Sequence, residues 1–221
     1  MKLQLRNNFS VLVAGIVALV VAVPVARADI VYRASGIENN YVPFGEDGTP
    51  GRPVPGDQLG NTITLDGTNR SLDRITVNVA LNNAAGTPPA GTDTWTLDLY
   101  LNDGPADPSG LLQPGTLIGS ASTDLTMPPF VADVVFDFTA AALVVPDSFT
   151  VVISSTHSTD TFFQAAGVSG PSSSMTVPGV GTGMNTMWYT DAVAGWATNA
   201  TWAIADGATT NFFLMQVEAS P

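Results

Sequence analysis

Cysteine is absent from this chain, which excludes disulfide staples, thiolate metal centres and cysteine nucleophiles together. Histidine occurs once, at His157. Zinc held by several histidines or cysteines is therefore excluded by count, and a Ser-His-Asp site would have to be built around this one imidazole. No G-x-S-x-G pattern lies near it, since Gly167-Val168-Ser169-Gly170 does not fit. Flanked by Ser155, Thr156 and Ser158, His157 reads as a residue of a polar surface loop. Basic residues are nearly as scarce: seven Lys and Arg stand against nineteen Asp and Glu, a net charge of −12. Lys2 is the one lysine, and from Ile75 to Pro221 there are twelve acids and no cation. Nucleic acid and anionic lipid are bound mainly through cationic side chains, so both are poor partners for this surface. A divalent cation or a neutral polymer fits it better.

Long apolar runs are confined to the start of the chain. Lys2 and Arg6 precede the apolar stretch Val11 to Val23, and Ala26-Arg27-Ala28 follows as a small-x-small cleavage site, the pattern of a secretory signal peptide. Its core of about 13 residues falls short of the roughly 20 that span a bilayer. Residues 1–28 are thus expected to form a signal-peptide helix that is cleaved, with secretion to the extracellular space or cell surface as the outcome. No later stretch approaches the length of a membrane span. Residues 29–221 carry four arginines against all nineteen acids. Their length suits one all-β domain with a sizeable core. An exported chain without disulfides fits bacterial export, where stability must come from the core, with bound metal as a possible supplement.

What is present is alternation. In Thr94–Asn102, Trp95, Leu97, Leu99 and Leu101 fall on one side of an extended chain and Thr94, Thr96, Asp98, Tyr100 and Asn102 on the other, the pattern of a half-buried strand. The run breaks at NDGPADPSG and extension resumes at Thr116-Leu117-Ile118, a strand, loop and strand unit. Similar stretches are read at 61–65, 72–81, 130–138, 143–145 and 149–153. Further candidates lie at 161–168, 186–190, 200–205 and 211–217. The Gly- and Pro-rich connection from Gly36 to Gly60 is long enough to lie across the domain or to form a binding surface. The tract from Ser169 to Met184 is rich in Gly, Ser, Pro and Thr. Sustained 3.6-residue periodicity is lacking after residue 28. About ten short strands without helical crossovers predict an all-β fold: two antiparallel sheets in a jelly-roll-like sandwich.

The series DGTNRSLDRITVNVA, TWTLDLYLNDG with PGTLIG, VVFDFTAAALVVPDSFTVVIS and the terminal VEASP resembles exported bacterial domains of the PEP-CTERM and choice-of-anchor type, over most of residues 58–221. The resemblance implies a β-sandwich carried to the cell surface or extracellular matrix. Such domains commonly end in a Pro-Glu-Pro motif, a spanning helix and a basic tail. This sequence ends at Ala219-Ser220-Pro221, so the anchor is expected to be missing or removed. The resemblance carries over no catalytic residues.

Three sets of residues are candidates for function. Trp188, Tyr189, Trp196 and Trp202 crowd the final third, beside Asp191 and Asn199; flat rings near amides and carboxylates can stack on sugars while hydrogen-bonding hydroxyls. Plain core packing is the competing account of the same rings, and Trp95 is expected in the core. Asp103 and Asp107, in Asn102–Asp107, offer two carboxylates and nearby carbonyls to Ca²⁺, though their spacing does not match an EF-hand and Asp and Gly are common in turns for backbone reasons. Glu46-Asp47-Gly48 with Asp57 is a second acidic candidate. Asp133 and Asp137 share a strand face about 13 Å apart, too far to act as a paired acid and base. The expected function is a non-enzymatic structural or adhesive component of a bacterial surface or matrix, with polysaccharide, a surface protein or the chain itself as partner. The alternative is a carbohydrate-binding module using the late aromatics, and the least favoured is a polysaccharide-cleaving enzyme.

Overall fold

Alternation in the sequence becomes alternation in burial. In the computed structural model the strand Gly91–Tyr100 buries Trp95, Leu97 and Leu99 completely and leaves Thr94, Thr96, Asp98 and Tyr100 partly open. The structure describes residues 27–34, 40–44, 58–83, 91–127, 131–155, 162–169, 180–191, 195–199 and 212–221. Within them the strands in chain order are β1 (Asp29–Ala34), β2 (Asn40–Phe44), β3 (Leu59–Thr64), β4 (Ser71–Asn83) and β5 (Gly91–Tyr100). They continue with β6 (Leu117–Met127), β7 (Val131–Asp137), β8 (Ser148–Ser155), β9 (Phe162–Ser169) and β10 (Thr182–Asp191). The last are β11 (Gly195–Asn199), β12 (Phe212–Phe213) and β13 (Met215–Ser220).

Eight of these strands make the expected sandwich. One sheet runs β1-β13-β4-β7 and the other β3-β8-β5-β6, with every pairing antiparallel. The chain changes sheet at every step through these eight strands except between β5 and β6, which is jelly-roll topology. β2, β9 and β12 extend the first sheet, and β10 and β11 extend the second beyond β3. Between the layers lie Tyr32, Leu72, Ile75, Val77, Val79, Phe136, Met215 and Val217 from one side. Leu59, Ile63, Trp95, Leu97, Leu99, Phe149, Val151 and Ile153 meet them from the other. Truncating a fully buried aromatic such as Phe136 removes both transfer energy and packing, about 3–5 kcal/mol. β13 lies between β1 and β4, which is why its inward residues Met215, Val217 and Ala219 are apolar although the strand is short.

The outward face of the first sheet is a solvated ladder. Arg33 donates to Gln216 Oε1, the Gln216 amide donates to Glu218, and Arg74 pairs with Glu218 at 2.9 Å. At such exposure an ion pair contributes roughly 0–1 kcal/mol, so the ladder keeps the face soluble more than it holds the sheets together.

Several expected boundaries shift for local reasons. The strand expected at 143–145 is reduced to a single bridge between Ser71 and Val144, which follows a 3-10 turn at Thr139–Ala141; Pro146 has no N–H to continue a ladder. The short extension expected at 116–118 runs on to Met127, because Ala121 and Leu125 pack inward while hydroxyl residues alternate outward. The strand expected at 211–217 breaks at Leu214, whose carbonyl accepts from Asn78 N. The long connection before Gly60 holds β2, which pairs with β9. Residues 200–205 and the signal segment, 1–26, lie outside the described residues. Among the described residues no helix is long and apolar enough to cross a membrane.

Candidate functional site

Gly60 and Thr62 of β3, Thr150 and Val152 of β8, and Trp188 of β10 are buried. Trp188 and Val152 nevertheless stand apart from the core cluster between the sheets. They lie on the other, outward face of the second sheet. Gly60 is what admits the tryptophan: a Cβ there would sit 3.1 Å from Val152 and 3.4 Å from the Trp188 Cβ. A glycine inside a strand often marks such a close approach.

A hydrogen-bonded chain runs beneath the ring. Trp188 Nε1 donates to Thr62 Oγ1 at 3.1 Å, Thr62 and Thr150 hydroxyls lie 2.7 Å apart, and Thr150 donates to Asn102 Oδ1 at 2.6 Å. Thr150 has one hydroxyl proton and gives it to Asn102, so Thr62 is the donor between the two threonines. Each bond then polarises the next in the same direction. The Asn102 amide continues to Ser148 Oγ, which donates to Ile63 O.

Two further rings flank this chain. Tyr100 pairs in register with Thr150, and Trp196 of β11 pairs with Thr190. Their rings meet edge to face, centroids 5.9 Å apart and planes at 71°. Four strand steps separate β11 from β5, about 19 Å in a flat sheet, so the sheet curls over this face to bring the rings together. Farther along the same face stand Thr94, Thr96, Asp98, Ser120, Ser122, Asp124 and Thr126. Thr94 donates to Asp124 at 2.6 Å, and Thr96 and Ser122 share a bond at 3.0 Å. An aromatic pair beside a row of hydroxyls and carboxylates can stack on a polar, ring-shaped ligand and hydrogen-bond to its edges. A tyrosine hydroxyl is a hydrogen-bond donor at neutral pH, and burial, with the nearby Asp98 second, raises the pKa of Tyr100 further.

Comparison with family models, with curated proteins and with solved structures found no match for this chain. The site therefore rests on its own geometry.

The expected aromatic set divides. Trp188 is wholly buried and serves as the floor of the face, with no ring surface to offer a ligand. Trp196 is half-buried and reaches the surface. Tyr189 pairs in register with Leu59 and Ala197, and Trp202 lies outside the described residues. Sequence reading missed Tyr100, placed only as the polar-side residue of its strand, and Gly60, taken as the end of a loop. The one signal for either was a glycine directly before the alternating run NTIT.

The Asn102–Asp107 loop uses its acids on itself. Asp103 accepts from Thr116 N and Thr116 Oγ1, both at 2.7 Å, and these bonds hold its carboxyl below the usual 3.8. Asp107 Oδ1 accepts from Ser109 N, Ser109 Oγ and Leu111 N. The loop closes so tightly that a Cβ on Gly115 would overlap Asp103 Oδ1. Among the described residues no three Asp, Glu, His or Cys side chains converge as a metal site. Asp133 and Asp137 are exposed on β7, and Asp133 accepts from Asn78 Nδ2. Asp93 is buried at the end of β5, where Ser155 Oγ reaches both its oxygens at 2.6 Å. His157, Glu46, Asp47 and Asp57 lie outside the described residues.

Proposed function

We propose that the protein is an exported, non-catalytic jelly roll that acts outside a bacterial cell as an adhesive component of the surface or matrix, holding polysaccharide against the curled outer face of its second sheet. The observation that carries this reading is the Tyr100–Trp196 ring pair, set over a buried polar chain and next to the Thr, Ser and Asp row of β5 and β6. Sugars present apolar ring faces and hydroxyl edges, and this surface offers a counterpart to each. The acidic, lysine-free composition after residue 28 favours a neutral polymer over an anionic one. The signal-like start and the resemblance to exported surface domains support the location. Trp196 supplies the stacking face, Tyr100 orients it and donates a hydrogen bond, and Asp98 and Thr96 accept or donate at the ligand's edge.

Retention on a panel of insoluble polysaccharides tests the proposal. The wild-type protein is expected to be retained on at least one neutral glycan, and Trp196→Ala and Tyr100→Ala each to weaken retention about tenfold or more with an unchanged far-UV spectrum. Retention unaffected by both substitutions would refute the assignment of the face, and release of reducing ends would refute the non-catalytic reading.

A further inference from the structure

A sheet edge is an unfinished ladder of N–H and C=O groups, and proteins that must stay apart blunt such edges with proline, charge, bulges or covering segments. The described edges here are treated unequally. β1 is bridged by Val180, whose carbonyl accepts from Arg33 N. β2 contains Pro43. β7 turns Asp133 and Asp137 to solvent, and β11 is only five residues long. Of these protections β6 has only a single carboxylate, Asp124, and one irregularity at its start. It is eleven residues long, with no proline, lysine or arginine, and among the described strands only β5 pairs with it. Its irregularity is confined to one end, opposite Leu99 and Tyr100, so Gly119–Met127 is an unbroken nine-residue edge.

We infer that β6 is a self-association edge that pairs antiparallel with β6 of a second copy of this chain. The strand is complementary to itself. A two-fold axis through Thr123 brings all nine residues into register and sets Ala121 against Leu125 of the partner on the inward side, small against large in a continuation of the apolar row. On the outward side Ser120 meets the partner's Thr126, and Ser122 meets the partner's Asp124. This repeats the hydroxyl-to-carboxylate pairing that already joins Thr94 to Asp124 within the chain. The strand's only charge is Asp124, and in this register it never faces itself. Few other stretches of so acidic a surface would allow two copies to approach. The axis is perpendicular to the sheet, so both Tyr100–Trp196 faces end on the same side of one continuous sheet, and a surface ligand could engage both.

Sedimentation of the purified full chain over a range of concentrations tests this, with hydrogen exchange of residues 119–127 as a second reading. The wild type is expected to dimerise, with alternate β6 amides protected at high concentration and released on dilution. Ser122→Glu places a carboxylate opposite the partner's Asp124 twice per dimer, and is expected to weaken association by about ten- to thirtyfold. Adding Asp124→Lys to that variant should restore it. A wild-type chain that stays monomeric, or a dimer as strong in Ser122→Glu as in the wild type, overturns the inference, as does β6 protection that ignores concentration. Glycan retention is read separately, so failure of the dimer leaves the ligand face untouched and failure of the ligand face leaves the dimer untouched.

Discussion

Replacing Thr62 by valine keeps the shape of the side chain and removes the hydroxyl at the centre of the buried polar chain. Trp188 Nε1, on a residue with no exposed surface, then loses its acceptor, and Thr150 loses the proton that Thr62 supplies. A buried donor left without a partner costs about 1–3 kcal/mol, and we take about 2 kcal/mol for this substitution. For a domain of this size that is a fall of roughly 4–8 °C in melting temperature. Thr150→Val takes the acceptor from the buried Thr62 hydroxyl and the donor from Asn102 Oδ1; Asn102 is half-exposed and water can replace its bond, so the Thr62 loss dominates and about 1–2 kcal/mol is expected. The double variant removes the Thr62–Thr150 bond once, whereas the two single variants count it twice. The cycle should therefore show coupling of about 1 kcal/mol. Urea denaturation followed by far-UV circular dichroism gives all four stabilities. Costs that simply add, or a Thr62→Val change below about 0.5 kcal/mol, would show that the chain is not the connected unit described.

Two smaller predictions follow from local geometry. The Thr139 hydroxyl, and after it the Thr139 backbone N–H, hold the Asp137 carboxyl below 3.8. That contribution to stability is present above the ordinary carboxylate range and disappears as pH falls through the lowered folded value; Thr139→Val should move the Asp137 titration, followed by carbon-13 NMR, back up toward 3.8, and an unchanged titration would contradict the assignment. Ala142 holds the left-handed conformation, φ 46° and ψ 42°, at the end of the 3-10 turn. Ala142→Gly should stabilise the protein by about 0.5 kcal/mol in a urea melt, since relief of a 1–2 kcal/mol strain exceeds the added chain entropy.

Much of the sandwich was legible because period-two patterning is local. Trp95, Leu97 and Leu99 announce a buried face whatever lies opposite, and Val77, Val79, Val134 and Phe136 do the same. β6 was only half legible, since SASTDLTM carries small and hydroxylated residues that do not distinguish strand from loop until β5 pairs with them. The calcium expectation arose from counting carboxylates. Their use depends on which donors the loop folds beneath them, and Thr116, Ser109 and Leu111 become those donors only when the loop closes.

The sequence by itself determined the layered all-β class and most of the residues that fill the space between the sheets, because side-chain alternation is written residue by residue. Only the tertiary structure decided that Trp188 lies buried while Trp196 reaches Tyr100, for these rings come from strands far apart in the chain. The Tyr100–Trp196 meeting depends on sheet order and curvature, and the seating of Trp188 on the missing Cβ at Gly60. Such contacts are set by register between distant segments, and no local pattern records them.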